Sequence, residues 1–171
     1  CSFASFGFCK AHAAAFALPT YQSAWLKRHY PAHFLAGLLV HDPGMYPKRL
    51  IIEEARRMHI AILGLDVNAS AAGYRVEQLP ARYPTGAGQG RVPAGLPDGS
   101  AWGIRLALSQ VQGISADDVQ RIEAGQPYQS LSDFCARARV DFPVAENLVL
   151  TGGFDRLYGM HGEQRVQRPG Q

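Results

Sequence analysis

The sequence has few cysteines, no long apolar run and little net charge. Its three cysteines lie too far apart along 171 residues to form a disulfide framework, so a reducing cytoplasm is the expected location. No apolar run approaches the length of a membrane span and no signal peptide is recognisable, so we expect no membrane partner. An apolar fraction of 47% still predicts a packed core and excludes wholesale disorder.

Positive charge is concentrated at the front of the chain. Residues 1–60 carry seven Lys/Arg against three acids, together with five of the six histidines, whereas the remainder carries ten Arg against eleven acids. A phosphate bound by the front half can therefore be contacted by charged side chains. A phosphate bound by the back half would have to be contacted by backbone groups.

The periodicity predicts a mainly α-helical fold with a short insertion of strands. Residues 11–40 have helical spacing, with Pro19 expected to end or kink the first helix and a break expected at residues 30–31. A second pattern, residues 48–59, predicts an amphipathic helix. Its inward positions are expected to be Leu50, Ile51, Ala55 and Met58.

Three short segments have the composition of strands. Residues 60–65 are a buried strand candidate, and residues 74–78 and 101–108 are expected to pair with each other. Between the last two lies a segment, residues 80–100, with nine Gly or Pro among its twenty-one residues, which predicts a mobile loop. The polar residues 158–171 are expected to form a flexible tail.

The stretch "LSQVQGISADDVQRIEAG" predicts a hairpin between two short helices. Gly113 permits a tight turn, and Ser115 is positioned to cap a helix that begins with two aspartates. Unpaired amides at such a helix start can bind a DNA phosphate without a lysine, which makes Gln112, Gly113, Ile114 and Ser115 candidate DNA contacts. The alternative is a hairpin that only packs against its neighbours.

A second, more degenerate copy of this unit follows at residues 130–153. Its first helix is expected to turn Leu131, Phe134 and Cys135 inward. Its turn lacks a glycine and carries Asp141, so for this copy the packing role is favoured over DNA contact.

In combination, these motifs resemble one family, the C-family DNA polymerases typified by the α subunit of bacterial DNA polymerase III. The resemblance runs from Phe3 to Leu157, and some variants are similar to the error-prone branch. Its landmarks, in order, are "FGFCKAHAAAFA", "YQSAWLKRHYPAHFLAGLL", "DPGMYPKRLIIEEARR", "DVNAS" and "GIRLALSQVQGIS…SLSDFCARA…LVLTGGFDRL". It implies the end of a fingers domain in residues 1–65, short strands in 66–108, and tandem helix-hairpin-helix motifs in 109–157.

The resemblance also implies roles for residues near the front. Lys10 becomes a candidate contact for the triphosphate of an incoming deoxynucleotide, His12 for its sugar edge, and Phe6 for ring packing or stacking. Lys27 and Arg28 become candidate contacts for template or primer. Without the resemblance, each of these charges is typical of a solvated helix face. Trp25 and Tyr21 are expected in the core rather than as stacking platforms.

No residue of this chain is expected to be catalytic or to bind a metal. Nucleotidyl transfer needs carboxylates that hold two Mg²⁺ ions, and no Asp-x-Asp lies on an apolar strand here. A zinc site built from Cys1, Cys9 and His12 would lack a second pair of ligands. The resemblance places the catalytic aspartates and Mg²⁺ in a palm domain upstream, so this chain, which begins with Cys, is expected to be an inactive piece of a longer enzyme.

The expected function is therefore nucleotide contact and sequence-independent DNA binding during replication or error-prone repair synthesis. The expected partners are primer-template DNA, a deoxynucleoside triphosphate, the rest of the polymerase and, through regions outside this chain, the sliding clamp. Two alternatives remain open: a stand-alone helix-hairpin-helix accessory module and a protein-docking scaffold.

Overall fold

The structure is a computed structural model that describes residues 10–42, 44–80 and 93–160. The expected mainly α-helical fold with a small sheet is confirmed. The elements are α1 (Lys10–His29), α2 (Pro31–His41), α3 (Lys48–Arg57), β1 (Ala61–Leu63), β2 (Arg75–Gln78), β3 (Trp102–Arg105), a short 3-10 helix (Leu108–Gln110), α4 (Ala116–Gly125), α5 (Leu131–Ala138) and α6 (Phe142–Leu150). Phe6, most of the loop 80–100 and most of the tail lie outside the described residues.

The first helix continues through its proline, so the prediction that Pro19 ends it is wrong, while a kink at Pro19 stays a prediction. α1 runs for 20 residues with Pro19 inside it and with no buried residue. Proline cannot donate to the carbonyl of residue i−4, here Ala15. Ala15 is exposed, so water can satisfy that carbonyl, and the surrounding alanines favour helix. The expected break does occur at residues 30–31, where Pro31 opens α2.

The three strands form one mixed sheet in the order β1-β3-β2. β2 and β3 pair antiparallel, as predicted, with Val76 opposite Ile104. β3 also pairs with β1 in parallel, with Ile62 opposite Ile104, which the strand patterns did not predict. Gly103 lies so close to Leu63 that a Cβ there would be only 2.9 Å from that side chain. The glycine therefore allows the two strands to pack closely.

Helices α2 and α3 cover one face of the sheet and form a first core. Ile51, Ala55 and Met58 are buried, as the spacing i, i+4, i+7 predicts. Leu50 is 47% exposed, so its predicted inward position is wrong. It lies one residue, or about 100° of helix rotation, off that stripe. The buried members of this core are Ala32, Leu35, Ala36, Leu39, Ile51, Ala55, Met58, Ile60 and Ile104.

A second core lies among the three C-terminal helices. The segments that leave β1 and β3 enter this core, so the sheet connects the two cores directly. Tyr128, Phe134 and Phe154 form its aromatic centre, with ring centroids 4.9 and 5.1 Å apart in edge-to-face pairs. Its buried members are Leu65, Val67, Leu108, Val111, Val119, Ile122, Tyr128, Phe134, Ala138, Val144, Leu148 and Phe154. The proposed domain boundaries stay predictions.

Candidate nucleic-acid interface

The Gly113 turn connects the 3-10 helix to α4 at the surface. Gly113 has a φ of +81°, in the left-handed region that L side chains rarely adopt. A Cβ built on it would meet no atom within 4 Å, so the glycine is required by the backbone conformation and not by crowding. The amide of Val111 donates to Leu108 O at 2.9 Å and that of Ile114 donates to Val111 O at 3.3 Å. These two bonds close the turn and leave Gly113 exposed.

A reciprocal cap fixes the start of α4, as predicted for Ser115. The amide of Asp118 donates to Ser115 Oγ at 3.1 Å, and the amide of Ser115 donates to Asp118 Oδ2 at 3.0 Å. The Ser115 hydroxyl, the Ser115 amide and then the guanidinium of Arg121 hold the pKa of the Asp118 carboxyl below its usual value. The carboxylate therefore stays ionised and the cap stays closed at neutral pH.

The cap decides which amides of the hairpin remain open. The amides of Ser115 and Asp118 are bound to each other's side chains. The amides of Gln112, Gly113, Ala116 and Asp117 have no acceptor in the part of the chain that the structure describes, and all four residues are exposed. The hairpin thus presents four surface donors beside the positive end of the α4 dipole, and Ser115 acts as the cap between them.

Two long-range side chains brace this hairpin, and sequence reasoning missed both. Asn147 of α6 donates through Nδ2 to Gln112 O at 3.0 Å. Lys48 of α3 donates through Nζ to Gln110 Oε1 at 3.1 Å. The turn is therefore held from the second hairpin on one side and from the first core on the other. No local signal predicts such contacts, because the partners lie 35 and 62 residues apart.

The second hairpin repeats the backbone pattern of the first with different side chains. Arg139 has a φ of +48°, where the first hairpin has Gly113. In each hairpin a partly buried apolar residue follows, Val140 or Ile114, and then the N-cap of the next helix. Here the N-cap is Asp141, which makes no side-chain cap hydrogen bond. The copy predicted from sequence is therefore present, with arginine in the left-handed position.

One inward position predicted for the second hairpin is wrong. Phe134 is fully buried and Leu131 partly buried, as expected, but Cys135 is exposed. Leu131, Phe134 and Ala138 follow the spacing i, i+3, i+7 toward the second core, and Cys135 lies outside that stripe.

Lys10 and His12 stand on the first turn of α1, and both are exposed. Residues two apart on a helix point in nearly opposite directions, so these side chains do not share a face. The His12 ring lies 4.5 Å from the Phe16 ring, one turn further along. The structure therefore offers two separate contact positions at this helix start, and their nucleotide roles stay predictions.

The C-terminal part of α1 carries the other basic candidates. Lys27 donates to Glu54 of α3 at 3.0 Å and is partly covered by that contact, whereas Arg28 is exposed. Trp25 and Tyr21, expected in the core, are 43% and 68% exposed, so that expectation is wrong. The second half of α1 contacts α2, and Lys27 reaches Glu54 of α3, but no residue of α1 is buried in the described part of the chain.

The described residues contain no helix that is both long and apolar enough to span a membrane. Within residues 10–42, 44–80 and 93–160, no three His, Cys, Asp or Glu side chains are grouped so that they could hold a metal ion.

The two capped or tightly turned hairpins and the buried core between them define a class of protein. The chain belongs to the helix-hairpin-helix family: the family model described as a helix-hairpin-helix motif matches residues 59–166. This match includes both hairpins and the sheet strands that lead into them.

Comparison with curated proteins extends the similarity to the front of the chain. The chain is 40% identical to the error-prone DNA polymerase of Symbiobacterium thermophilum over 164 residues, which is 91% of this chain and 15% of that protein. It is 38% identical to the error-prone DNA polymerase of Pseudomonas fluorescens over 92% of this chain and 15% of that protein. The corresponding enzyme of Corynebacterium glutamicum is 36% identical over 91% of this chain and 13% of its own length.

These matches confirm the predicted resemblance to C-family polymerases and to their error-prone branch. The chain spans about 15% of the length of the curated relatives it matches.

Proposed function

We propose that this chain acts as part of a longer template-directed DNA polymerase, in which its hairpins bind the backbone of duplex DNA without reading its sequence. The observation that carries the proposal is the Gly113 turn with its four open amides. Amides at a helix start bind phosphate oxygens whatever the base, so they position a duplex and do not select a sequence. The names of the relatives favour error-prone repair synthesis over bulk replication as the setting.

The electrostatics of the hairpin are compatible with phosphate binding despite two aspartates in the first turn of α4. Asp118 is held in the cap and also paired with Arg121. Asp117 is exposed, and it is the other acid in the first turn of α4. Lys48, which reaches Gln110 from α3 and is also paired with Asp42 at 3.6 Å, supplies a cation next to a segment that has no Lys or Arg of its own between residues 108 and 115. This arrangement supports Gln112 and Gly113 as amide contacts, whereas the amide of Ile114 is bound to Val111 O and that of Ser115 to Asp118.

For the front of the chain, we propose that Lys10 contacts the triphosphate and His12 the sugar edge of an incoming deoxynucleotide. Their separate faces on α1 are compatible with two different contacts on one ligand. Lys is a compact charge suited to phosphate, and the imidazole can donate to or accept from a sugar oxygen. Phe6, proposed to pack or stack beside them, lies outside the described residues.

Catalysis and the remaining partners belong to the longer protein in this proposal. The carboxylates described here are engaged in caps and ion pairs or stand apart, and they do not fit a two-Mg²⁺ centre. We therefore place the Mg²⁺-binding aspartates and the sliding-clamp contact outside this chain, and the working location in the cytoplasm.

The stand-alone accessory module is the less favoured function. The family model for the helix-hairpin-helix motif matches residues 59–166, but the polymerase relatives match more than nine-tenths of the chain. A module that only binds duplex DNA would have no use for the helices that precede residue 59.

Fluorescence anisotropy with a short labelled duplex tests the hairpin directly. Gly113→Ala should weaken duplex binding by about ten- to a hundredfold, since loss of charge-assisted amide contacts costs on the order of 1.5–3 kcal/mol. Gly44→Ala is the matched control: Gly44 also has a positive φ, +70°, and open space around its Cβ, but it lies in the turn before α3. Equal effects of the two variants, or an affinity that depends on duplex sequence, would contradict the proposal.

Activity assays test the division of labour. The purified chain with Mg²⁺, primer-template and deoxynucleotides should show no primer extension, whereas extension above background would contradict the placement of the catalytic aspartates elsewhere. In the intact polymerase, His12→Ala should raise ribonucleotide incorporation relative to His41→Ala, which removes an exposed histidine at the end of α2. Unchanged sugar discrimination would reject the role of His12.

A further inference from the structure

Five aromatic rings form a continuous row across the front half of the molecule. Trp25 lies 4.6 Å from His29 and 5.6 Å from Tyr30, measured between ring centroids. Tyr30 lies 6.2 Å from His33, and His33 lies 5.1 Å from Trp102. We call these five residues the aromatic row. It begins on the last turns of α1, crosses the junction with α2 and ends at the first residue of β3.

The aromatic row is accessible along most of its length. Tyr30 is 50% exposed, Trp25, His29 and His33 are exposed, and only Trp102 is partly packed on the first core. Large aromatic rings bury 150–250 Å² each when they are covered, so leaving several of them open forgoes a large hydrophobic stabilisation. A row of open rings is therefore the signature of a binding surface rather than of a packed interior.

The charge around the aromatic row favours an anionic ligand. Helices α1 and α2 contain no Asp or Glu over residues 10–41. The same helices carry Lys10, Lys27 and Arg28. Arg28 is exposed and lies three residues after Trp25, on the same side of α1, whereas Lys27 lies two residues from Trp25 and is paired with Glu54. Glu54, from α3, is the nearby acid, and it is engaged by Lys27 and by Arg57.

We propose that the aromatic row binds single-stranded DNA by stacking its unpaired bases, with Arg28 beside its phosphates. Open aromatic rings next to cations are the two components of sequence-tolerant single-strand binding, because every base has a π-face and every nucleotide has a phosphate. The proposal extends the function proposed above, and it rests on that function for the source of the strand, an unpaired template.

A protein partner would call for a different surface. Trp, Tyr and Arg are enriched at protein–protein interfaces too, but the centre of such an interface is otherwise depleted of charge and its aromatic anchors fill pockets. Here the rings are interspersed with histidines and flanked by cations, with no acid on their own helices. Single-stranded DNA offers bases that can stack on the rings and phosphates that can pair with the positive charge.

Intrinsic fluorescence can report on this surface without a label, since the chain has two tryptophans and both belong to the aromatic row. Titration of the full chain with a short oligothymidylate should quench tryptophan emission in a saturable and salt-sensitive way. Absence of quenching at concentrations that saturate duplex binding would overturn the proposal.

Substitutions at Trp25 separate stacking from simple apolar contact. Trp25→Leu keeps apolar bulk but removes the ring, and it should weaken oligothymidylate binding about tenfold when the signal is taken from Trp102 or from labelled oligonucleotide. Trp25→Phe should restore affinity to within about threefold of the unmodified chain. Tyr46→Ala, which removes an exposed ring outside the row, should leave affinity unchanged.

Three outcomes count against the aromatic row. Equal affinity in Trp25→Leu and the unmodified chain would show that oligonucleotide binds elsewhere. An equal loss in Trp25→Phe and Trp25→Leu would show that Trp25 does not act through its ring. Self-association of the chain that Trp25→Leu abolishes, without an effect on oligonucleotide binding, would assign the surface to protein.

The proposals for the aromatic row and for the hairpin can be tested independently. Gly113→Ala should lower duplex binding and leave oligothymidylate binding intact, while Trp25→Leu should do the reverse. If oligothymidylate quenches the tryptophan emission but Gly113→Ala leaves duplex binding unchanged, the role of the hairpin is rejected and that of the aromatic row is retained.

Discussion

The two ends of the molecule use apolar residues in opposite ways. The hairpin helices α4, α5 and α6 are short, at ten, eight and nine residues, yet each buries side chains in the second core. α1 is 20 residues long, carries several large apolar side chains and buries none of them. The difference shows that burial is set by the neighbours that a helix finds and not by its composition.

Capping differs between the two ends at two of the three hairpin helices, since α6 has no side-chain cap hydrogen bond. α4 and α5 begin with serines whose side chains accept from the amide three residues later. α2 and α3 have no side-chain cap hydrogen bond. A surface hairpin that must hold open amides in fixed positions benefits from side-chain caps, because a frayed helix start would lose the geometry of its donors.

The largest difference between the two ends should appear on removal of a phenylalanine. Phe134→Ala deletes a fully buried ring between Tyr128 and Phe154, which should lower the free energy of unfolding by about 3–5 kcal/mol. Phe16→Ala removes a ring of α1 that is 57% exposed, and it should change the free energy of unfolding by less than about 0.5 kcal/mol. Urea denaturation measures both, and similar losses would show that α1 is packed after all.

An intermediate effect is expected at the sheet that connects the two cores. The side chain of Arg105, nearly buried, donates through Nε and Nη2 to the carboxylate of Glu77 and through Nη1 to Gly64 O at 3.0 Å. Glu77→Gln leaves this guanidinium without its counter-charge and should cost about 1–3 kcal/mol. Glu53→Gln, which breaks an exposed pair with Arg56, should cost less than about 0.5 kcal/mol.

This pair also makes stability depend on pH. The hydrogen bond from Arg105 is the main cause that lowers the pKa of the Glu77 carboxyl below its usual value. Its contribution is therefore complete above the ordinary range of a glutamate carboxyl and is lost as the pH falls through the lowered pKa. The difference in unfolding free energy between the unmodified chain and Glu77→Gln should shrink on acidification. A constant difference would contradict this linkage.

A smaller effect is expected at the cap of the first hairpin. Ser115→Ala removes the acceptor for the Asp118 amide and should lower the free energy of unfolding by about 1 kcal/mol. Because Ser115 lowers the pKa of Asp118, the loss should be full at neutral pH and should diminish as the pH falls through that lowered pKa. Ser109→Ala, on the preceding 3-10 helix, is the control. An equal loss of unfolding free energy in Ser109→Ala would contradict a specific stabilising role of the Ser115 cap.

The smallest effect is expected at the contact between α6 and the Gly113 turn. Asn147→Ala removes the donor to Gln112 O and should weaken duplex binding by about threefold, with little change in stability, because this exposed contact is worth on the order of 0.5–1.5 kcal/mol. Gln120→Ala, on the exposed face of α4, should leave duplex binding unchanged. If neither variant alters affinity, α6 does not orient the turn.

Sequence reasoning located the features that depend on local chemistry. Pro31 opens α2, Gly113 takes a positive φ and Ser115 caps α4, each as its neighbours along the chain predict. It failed where the outcome depends on tertiary packing. Pro19 is tolerated because α1 is solvated there, and Trp25 stays open because nothing packs on its face of α1 in the described residues.

The same limit explains what was missed at the candidate interface. The parallel pairing of β1 with β3 joins residues about forty positions apart, and the brace from Asn147 to Gln112 spans 35. Both depend on how the elements pack, and no spacing pattern encodes that. The aromatic row is a clearer case, since its rings come from α1, the residue between the helices, α2 and β3.

The most direct test of the account is an NMR titration of the ¹⁵N-labelled chain with a short duplex. We expect the largest amide shift changes at Gln112, Gly113, Ala116 and Asp117, the donors left open at the hairpin, with smaller changes at the capped amides of Ser115 and Asp118. Unchanged signals from the four open amides, while other residues respond to saturating duplex, would contradict the claim that this turn holds the DNA backbone.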